Sequence, residues 1–561
     1  MAYQKAADTV SNLTTEIGDF YRNGTLDTLP GIGVTIRSHL EELFKTGKVS
    51  HFEWVLKDIP KAVFPLLDIP SFGPKKAYKL VKEFRLKNPT TVIDGLEKVA
   101  RKGKIADLEG FGDKSQSDIL RAISEFRLGK GKTTRMTLPY AMQVADKVVS
   151  YLKQSKFVLE AEPLGSLRRK VSTVGDIDIA VATNNPKEVI EHFVLYPHKE
   201  RVIEKGEATS SILVSGGNQV DLMTQPPEAF GSLLQHFTGS KNHNIHLREF
   251  ALKKGLSLSE YGIRRKMKRG KWKMENFSTE EQFYHAIGLE WIPPEIREDT
   301  GEIELAAAGN LPKLVQLSDI KGDLHIHSNY PIEPSHDLGK NTISEMLIEA
   351  KSLGYEYLGF SEHNPSISKH TSGQMYNLIK KRNENIEHIL SNNKNVRVFK
   401  LLETDILPNG ELAIDNKALE LLDATIVSIH SVFNMNSIDM TERVIKGLSH
   451  KKAKLLAHPT GRMLNERPGY ELDWNRILEF CKKNSKALEI NSWPGRLDIP
   501  DTIVRLAVNA NVKMIINTDS HMTGQMDLME HGVAVARRGW ATKDDILNTL
   551  SYNEFSEWLK K

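Results

Sequence analysis

The sequence predicts a multidomain protein with a helical N-terminal region, a central α/β domain and a C-terminal barrel of alternating strands and helices. Three observations predict this fold class. The chain has 561 residues, which is too many for a single hydrophobic core. A glycine turn that opens an amphipathic helix occurs three times in the N-terminal quarter of the chain. In the C-terminal part, apolar strands repeatedly end in histidine or carboxylate side chains.

Composition narrows the class of protein. The hydrophobic content is 40%, and no stretch near 20 apolar residues is present to span a bilayer. The first residues, MAYQKAADTVSNL, lack an apolar signal core, and a single cysteine, Cys481, excludes internal disulfides, so we expect a reducing cytoplasm. The charge is uneven, because residues 51–150 hold 19 Lys and Arg against 12 Asp and Glu, whereas residues 321–561 hold 30 against 31. The basic part is expected to meet a polyanion.

That basic part contains an internal repeat. LPGIGVTIRSHLEEL (29–43), IPSFGPKKAYKLVKEF (69–84) and LEGFGDKSQSDILRAI (108–123) each place an apolar residue before a glycine turn and a helix. A helix N-terminus offers unpaired N–H groups to an anion, and glycine lets the backbone approach it closely. The pattern resembles the helix-hairpin-helix element, which contacts DNA phosphates without reading sequence. Ser71 replaces the first glycine of the second copy. The glycines expected to contact DNA are Gly31, Gly33, Gly73, Gly110 and Gly112.

The central part contains GSLRRKVSTVGDIDIAVA, residues 165–182. Asp176 and Asp178 are two residues apart in a strand, so their carboxylates share one face at roughly 7 Å spacing. Alone, such a pair is as well explained by a solvated polar face. A Gly-Ser turn with two arginines can hold a polyphosphate, however, and the carboxylates can hold the divalent ions that accompany it. The next candidate strand, QVDLMTQP, supplies a third carboxylate, Asp221.

These motifs resemble the nucleotidyltransferase signature, and LLQHFTGSKNHNIHLREFALKKGLSLSEYGI (233–263) is similar to the nucleotide-binding segment of family X DNA polymerases. The resemblance covers about residues 1–318 and implies a nucleotidyltransferase palm that uses Mg²⁺. The catalytic and Mg²⁺-binding residues that it implies are Asp176, Asp178 and Asp221. The nucleotide-binding residues that it implies are Gly165, Ser166, Arg169, His236, Phe237, Gly239 and Asn244. The residues that it places on the template side and in the closing subdomain are Arg248, Glu260 and Tyr261.

Several positions depart from the family pattern. His236 replaces a tyrosine near the sugar, which bears on how strictly ribonucleotides are refused, and Gln219 replaces an arginine beside the third carboxylate. In the first hairpin motif, His39 takes the place of the lysine that forms a Schiff base in the polymerase beta branch, and Thr35 that of a nearby lysine. We therefore expect weak or absent 5′-deoxyribose phosphate lyase activity. The basic run RRKMKRGKWK (264–273) fits a solvated β-ribbon and a DNA-backbone contact equally well.

A second set of chemistry-bearing residues follows the linker-like segment 292–320. GDLHIHS ends an apolar strand with His325 and His327 facing the same way, and the same residue types recur at later strand ends. A (βα) barrel gathers residues in this way at the C-terminal face of its strands. The set is too large for one Zn²⁺, so two or three ions are expected. The other members of the set are His363, Glu403, His430, His458, Asp519 and His521.

This part, about residues 319–561, resembles the PHP (polymerase and histidinol phosphatase) domain. The resemblance implies a distorted (βα)7 barrel with two to three Mn²⁺ or Zn²⁺ ions. The family has an aspartate soon after H-x-H, and a longer loop, SNYPIEPSHDLGKN, replaces that turn here. Asp337 is the expected substitute, with Glu333 and His336 as alternatives. The family's T-D-H is S-E-H in this chain, so Glu362 is expected to alter the surroundings of the histidine that follows it.

Together the resemblances imply a bacterial-type DNA polymerase that fills short gaps in base excision repair, with a metal-dependent 3′–5′ exonuclease and an abasic-site endonuclease activity in the C-terminal domain. The expected partners are gapped or primer-template DNA and dNTPs, with no membrane. The chain is expected to be a cytoplasmic, nucleoid-associated monomer. A PHP domain that is structural, or that acts as a small-molecule phosphatase, is the alternative. A template-independent nucleotidyltransferase and a non-catalytic DNA-binding scaffold each explain only part of the chain.

The expected domain boundaries follow the motifs. They are an N-terminal helical domain (1–85), a helical DNA-binding subdomain (86–137), the palm (138–227), a nucleotide-binding subdomain with a linker (228–318) and the PHP domain (319–561).

Overall fold

The computed structural model describes residues 32–57, 59–67, 69, 72–108, 110–127, 135–214, 218–266, 272–392 and 395–560, with a few positions before residue 32. It divides the chain into two compact units, Met1–Arg135 and Met136–Lys561. Gly31 and Ser71 of the glycine repeat lie outside the described residues. No helix in the part of the chain that the structure describes is long and apolar enough to cross a membrane.

The first unit is helical. In each repeat segment a glycine directly precedes a helix, and a Cβ built at Gly33, Gly73 or Gly112 would meet no described atom within 4 Å. The space in front of these three glycines is therefore open to an external partner. Between them, buried Leu66 and Leu80 belong to the core of this unit. The described helices are α1 Val34–Thr46, α2 Ser50–Leu56, α3 Val63–Leu67, α4 Pro74–Glu83, α5 Val92–Arg101 and α6 Asp113–Arg127.

The second unit begins with the central α/β domain. A five-stranded sheet has the order β2-β4-β7-β6-β5, in which only β4 and β7 run parallel, and β1 pairs with β3. The strands are β1 Met136–Thr137, β2 Glu160–Pro163, β3 Thr173–Val174, β4 Ile177–Ala182, β5 Lys199–Lys205, β6 Thr209–Val214 and β7 Asn218–Gln225. The helices are α7 Leu138–Leu152, α8 Gly165–Arg168 and α9 Pro186–Phe193.

A smaller subdomain follows. Its sheet has the order β10-β9-β8 and is antiparallel. The basic run that begins at residue 264 forms part of this β-ribbon, although residues 267–271 lie outside the described residues. The strands are β8 Leu256–Ser259, β9 Gly262–Lys266 and β10 Trp272–Glu275. The helices are α10 Phe230–Thr238, α11 Lys241–Lys253, α12 Glu280–Ala286 and α13 Glu302–Ala308.

The segment 292–320, which the sequence predicts to be linker-like, is instead built into the core. It contains α13 and two short 3₁₀ helices, and it buries Ile292, Ile296 and Ile303. These apolar residues pack one at a time from turns and short helices, so they show no helical or strand period in the sequence. The hydrophobic pattern of the sequence therefore does not reveal that this segment is part of the core.

The C-terminal domain consists of parallel strands with intervening helices. One sheet has the order β11-β12-β13 and the other β14-β15-β16-β17-β18, and every described ladder is parallel. Parallel bridges from His363 to Glu403 and from Ile326 to Ser520 link the two sheets. Both faces of these strands are buried, which explains their continuous apolar sequences.

The bounds of these elements are as follows. The strands are β11 Gly322–Ile326, β12 Tyr357–Phe360, β13 Arg397–Lys400, β14 Glu403–Asp405, β15 Thr425–Ser428, β16 Ala453–Leu456, β17 Ala487–Asn491 and β18 Met514–Asn517. The helices are α14 Ile343–Ser352, α15 Ser372–Asn392, α16 Asn416–Leu419, α17 Ser437–Leu448, α18 Trp474–Lys483, α19 Asp501–Ala510, α20 Met529–Arg538 and α21 Tyr552–Lys560.

Two candidate active sites

The first candidate site is the carboxylate group of the central sheet. The parallel register of β4 and β7 sets Asp178 opposite Asp221, and Asp176 immediately precedes β4. Burial, together with the charges of Asp176 and Asp221, raises the pKa of Asp178 to about 6. Like charges held this close favour a bound cation, and carboxylate oxygens are the ligands that Mg²⁺ prefers. Gln219 donates from Nε2 to both carboxylate oxygens of Asp221, at 2.9 and 3.1 Å.

The Gly-Ser turn lies directly beside these carboxylates. Gly165 has a φ of +57°, and a Cβ at this position would lie 3.1 Å from Oδ2 of Asp178. Glycine therefore serves both the backbone conformation and the close approach. Ser166 follows in the first turn of α8. A triphosphate at this turn would lie next to the three carboxylates.

The two arginines after the turn contact the following subdomain. Arg168 forms a two-pronged ion pair with Glu280, at 2.8 and 2.9 Å, and also donates to Thr238. The Arg169 Nε donates to Glu298 at 3.0 Å, and its Nη1 donates to the backbone oxygen of Thr238. Arg168 thus anchors one domain to the next. Arg169, the predicted triphosphate ligand, keeps Nη2 without a hydrogen-bond partner among the described residues.

The nucleotide-binding segment forms the corner between α10 and α11. Asn244 donates to the backbone oxygen of His236 at 2.7 Å and accepts from Gln235 at 2.9 Å, so its amide braces this corner. Gly239 has a φ of +71°, and a Cβ there would lie 3.1 Å from the Nη1 atom of Arg169. Phe237 packs edge-on against the His236 ring, with centroids 4.8 Å apart.

Residues predicted for the template side surround the same corner. Burial lowers the pKa of His236, and the neighbouring charges of Glu260 and Arg248 act in opposite directions. Arg248 Nη2 lies 3.4 Å from His236 Nδ1. Tyr261 lies in the turn between β8 and β9 with 56% of its surface exposed, so it can meet an external partner. The structure therefore places Arg248 and Glu260 close to His236.

The second candidate site is a buried cluster of imidazoles and carboxylates at the ends of the C-terminal strands. Glu403 is its centre, because its two carboxylate oxygens face five histidines, with His327 the most distant at 3.6 Å. The nitrogen-to-oxygen distances from Glu403 are 3.1 Å to His325, 3.0 Å to His363, 3.3 Å to His430 and 3.0 Å to His458. Asp519 lies 3.2 Å from His327 and 3.5 Å from His325. The structure thus brings the widely separated strand-end residues together.

The long loop after β11 delivers two of its three candidate ligands to this cluster. Asp337 lies between two histidines, with a carboxylate oxygen 3.5 Å from Nε2 of His363 and the other 3.5 Å from Nε2 of His521. His336 lies 3.1 Å from a carboxylate oxygen of Asp405 and offers a ligand atom within 4.8 Å of those of His363 and His430. Glu333 instead pairs with His370 at 2.9 Å. The geometry therefore brings Asp337 and His336 to the cluster and does not bring Glu333 there.

The donor set fits divalent metal ions. Within the described residues, four groups of three His or Glu side chains offer ligand atoms within 4.8 Å of one another. Many buried polar atoms of the cluster also lack a hydrogen-bond partner, which is costly unless another group binds them. These atoms belong to His325, His327, His363, Glu403, His458 and His521.

Comparisons with known proteins identify the family of the chain. The family model described as DNA polymerase beta thumb matches residues 233–298. A protein of Bacillus subtilis named DNA polymerase/3′-5′ exonuclease PolX is 35% identical over 536 residues, which are 95% of this chain and 91% of that protein. The chain belongs to the family X DNA polymerases. It is accordingly an enzyme, a DNA-directed DNA polymerase.

Two further relatives match parts of this family X chain. DNA polymerase lambda of Arabidopsis thaliana is 24% identical over 327 residues, which are 53% of the chain and 57% of that protein. A probable phosphatase of Thermoanaerobacter is 25% identical over 249 residues, which are 43% of the chain and 94% of that protein. Phosphatases of this kind cover the C-terminal part, where the sequence resembles a PHP domain.

Sequence reasoning missed the carboxylates that orient the histidines of this polymerase's second site. Glu489 accepts from His325 Nδ1 at 2.7 Å, and Asp405 accepts from His430 Nδ1 at 2.7 Å. Such partners fix the orientation of a metal-binding imidazole. An acidic residue inside the otherwise apolar strand β17 was the available signal for Glu489.

The expected effect of Glu362 on the neighbouring His363 is not what the structure shows. The carboxylate of Glu362 pairs with buried Arg382 at 2.7 Å and accepts from the hydroxyl of Ser328. Ser328 is the residue after His327, so Glu362 braces the backbone on that side of the site. The longer side chain of glutamate reaches past the adjacent histidine to these partners.

Proposed function

We propose that this chain fills short gaps in DNA at its first site and shortens DNA from the 3′ end at its second site. The observation that supports this proposal is the separation of two complete ligand sets on different sheets. One set has three carboxylates beside a phosphate-binding turn. The other has the six predicted histidines and His336, together with Glu403, Asp519 and Asp337. Separate ligand sets suit two separate phosphodiester reactions.

For polymerisation, Asp176 and Asp178 would hold two Mg²⁺ ions, and Asp221 would help to hold the catalytic one. Bound Mg²⁺ would supply charge neutralisation for the reacting phosphates. The primer 3′-hydroxyl would lose its proton to solvent and attack the α-phosphate in line, the bond to the β-phosphate would break and pyrophosphate would leave, while the Gly165 and Ser166 turn orients the triphosphate. Gln219 fixes the orientation of Asp221 through its two hydrogen bonds.

For 3′ shortening, we propose that the parallel strands close into a distorted barrel with the ligand cluster at its C-terminal face. Two to three Mn²⁺ or Zn²⁺ ions there would supply an activated water and neutralise phosphate charge. Glu403 would join the ions, because its two oxygens face different histidines. Glu489 and Asp405 orient His325 and His430 toward them.

The N-terminal helices would bind the phosphate backbone of DNA, because the space in front of Gly33, Gly73 and Gly112 is open. We propose that the boundaries expected from the sequence, at 85, 137, 227 and 318, divide the working domains. Base excision repair, with cleavage at abasic sites, is the biological setting that we propose. A monomer in the bacterial cytoplasm, close to the nucleoid, fits that role.

One alternative has an observation in its favour. The match to the probable phosphatase spans 94% of that protein, so the C-terminal domain resembles a complete phosphatase. Such a domain would act on small phosphate monoesters instead of DNA. The exonuclease and the phosphatase hypotheses differ in the substrate that binds at the histidine cluster. A phosphatase releases inorganic phosphate from a small ester, whereas the proposed exonuclease releases mononucleotides from a 3′ end.

One experiment tests both reactions together. A labelled duplex with a one-nucleotide gap is incubated with Mn²⁺, with and without dNTPs, and resolved on one gel. We expect one-nucleotide extension with dNTPs and progressive shortening without them. Phosphate release from a small ester is measured in parallel. Phosphate release without DNA shortening would favour the phosphatase, and absence of extension would refute the polymerase assignment for the first site.

A further inference from the structure

A single arginine of the C-terminal domain reaches the nucleotide-binding turn of the central domain. Arg538 is the last residue of α20, and only 7% of its side chain is exposed. Its guanidinium donates to the backbone oxygen of Arg169 at 2.8 Å and to Glu298 at 3.0 Å. On its other side it pairs with Asp501 at 2.7 Å. Arg538 therefore links three segments that are far apart in the sequence.

Glu298 is shared by two guanidinium groups. Its Oε1 accepts from Arg169 Nε and from Arg538 Nη1, each at 3.0 Å. Because Oε1 is shared, the carboxylate binds each guanidinium less strongly than it would bind one alone. Without Arg538, Arg169 would be the remaining arginine partner of Glu298 among the described contacts. Arg538 therefore competes with Arg169 for Glu298.

The contacts of Arg169 leave one nitrogen of its guanidinium available for a ligand. Nε and Nη1 are held by Glu298 and by the backbone oxygen of Thr238, and the backbone oxygen of Arg169 itself is held by Arg538. This leaves Nη2 as the part of the fork that faces no described partner. A guanidinium held at two nitrogens, on a backbone that is itself held, loses little entropy when Nη2 meets a phosphate oxygen.

We propose that Arg538 is a positioning residue for nucleotide binding, through which the C-terminal domain holds the Arg169 guanidinium in the orientation that meets a phosphate. This inference rests on the proposed role of Arg169 as a triphosphate ligand. The ligand class is the triphosphate of an incoming dNTP. The two active sites are therefore coupled through the protein although their ligand sets are separate.

The test is a charge cycle read out as the dNTP KM for gap filling at saturating gapped DNA. Arg538→Met should raise KM roughly 5- to 20-fold while kcat changes less than about twofold, because a charge-assisted contact to the substrate is weakened. Arg538→Lys should raise KM less than Arg538→Met does, because lysine keeps the positive charge but lacks the planar guanidinium. Glu298→Gln in the Arg538→Met background should lower KM most of the way back to the unmodified value, because the carboxylate that binds Arg169 too strongly is gone.

Arg537→Met is the matched control. Arg537 is the preceding residue of the same helix and joins it to the segment 292–320 through Glu295 at 2.8 Å and the backbone oxygen of Val315 at 3.1 Å, but it has no described contact with Glu298 or Arg169. It should lower the melting temperature about as much as Arg538→Met and leave the dNTP KM within about twofold. Shortening of 3′ ends without dNTPs should be the same in both variants.

Equal KM values in the Arg538→Met and Arg537→Met variants would overturn the inference, as would a double variant no better than Arg538→Met. If the unmodified chain extends primers but Arg169→Met leaves KM unchanged, the inference fails while the proposed polymerase function stands. An unmodified chain that extends no primer would instead refute the proposed function, and this is seen before any variant is compared.

Discussion

At the scale of single residues, the loop after β11 contains three side chains that could bind a metal ion, and their contacts differ. Three candidate ligands lie within five positions of one another. Asp337 lies between His363 and His521, and His336 lies beside His363 and His430. Glu333 is drawn away by His370. A cluster of cations that faces mostly neutral imidazoles needs negative charge, which favours a carboxylate at this place.

We expect Asp337→Ala to lower the metal content of the purified protein by about one ion and to slow 3′ shortening roughly 100-fold, because an ion that positions the attacking water is lost. Elemental analysis and a single-turnover assay measure the two effects. Glu333→Ala is the matched control, with unchanged metal content. Full metal occupancy in Asp337→Ala would contradict the assignment and direct attention to His336.

A second prediction at this scale concerns the first hairpin motif. His39 stands where a Schiff-base lysine is found in the polymerase beta branch, and its Nδ1 lies 2.8 Å from the hydroxyl of Tyr3. An imidazole forms no stable iminium, so borohydride trapping on DNA with a 5′-deoxyribose phosphate should give little adduct. His39→Lys is the informative comparison. Adduct in the unmodified chain at the level of a lysine-bearing relative would refute this prediction.

At the scale of elements, the first residue of α12 joins the central domain to the subdomain that follows. Buried Glu280 pairs with Arg168 of α8 and with Arg297, which is also fully buried. Burial opposes ionisation of Glu280, but the two arginines outweigh it and lower its pKa to about 2. A buried carboxylate with two cationic partners is costly to disrupt by removing one member.

The pH dependence of stability follows from this pKa. Because the folded pKa of Glu280 lies below its usual value near 4.5, the stabilisation is present above pH 4.5 and is lost as the pH falls toward 2. It amounts to at most about 3 kcal/mol. Glu280→Gln should therefore lower the free energy of unfolding at pH 7 and reduce its loss between pH 5 and 3. Denaturant titrations measure both.

The exposed neighbour Glu281 supplies the control for this prediction. Glu281→Gln keeps the same position in α12 but lacks the arginine partners of Glu280, so its unfolding curve should follow the unmodified chain at each pH. Glu280→Gln and Glu281→Gln with identical pH profiles would show that the arginine pair does not depend on the carboxylate charge.

At the scale of the whole molecule, the two ligand sets belong to different sheets of the second unit. Asp178→Ala removes a carboxylate of the first set only, so gap extension should fall below detection while 3′ shortening stays within about twofold of the unmodified chain. The same gel assay reports both. Loss of both activities together would contradict two independent sites. Asp176→Ala is expected to behave in the same way, which checks that the effect belongs to the site.

Much of this organisation was predictable from the sequence because the signals are local. The Gly-Ser turn, the D-x-D pair and the H-x-H pair each place two or more groups within one turn or strand, where backbone geometry alone fixes their relative positions. The family assignment, which the comparisons confirm, rests on such motifs. The register that sets Asp178 opposite Asp221 follows once both strands are recognised.

Other features were decided only by tertiary packing. The choice of Asp337 over Glu333, the orienting roles of Glu489 and Asp405, and the path from Arg538 to Arg169 all join residues distant in the sequence. Spacing along the chain carries no information about which side chains meet across two sheets. Those contacts depend on how buried surfaces pack, so they could be read only from the folded molecule.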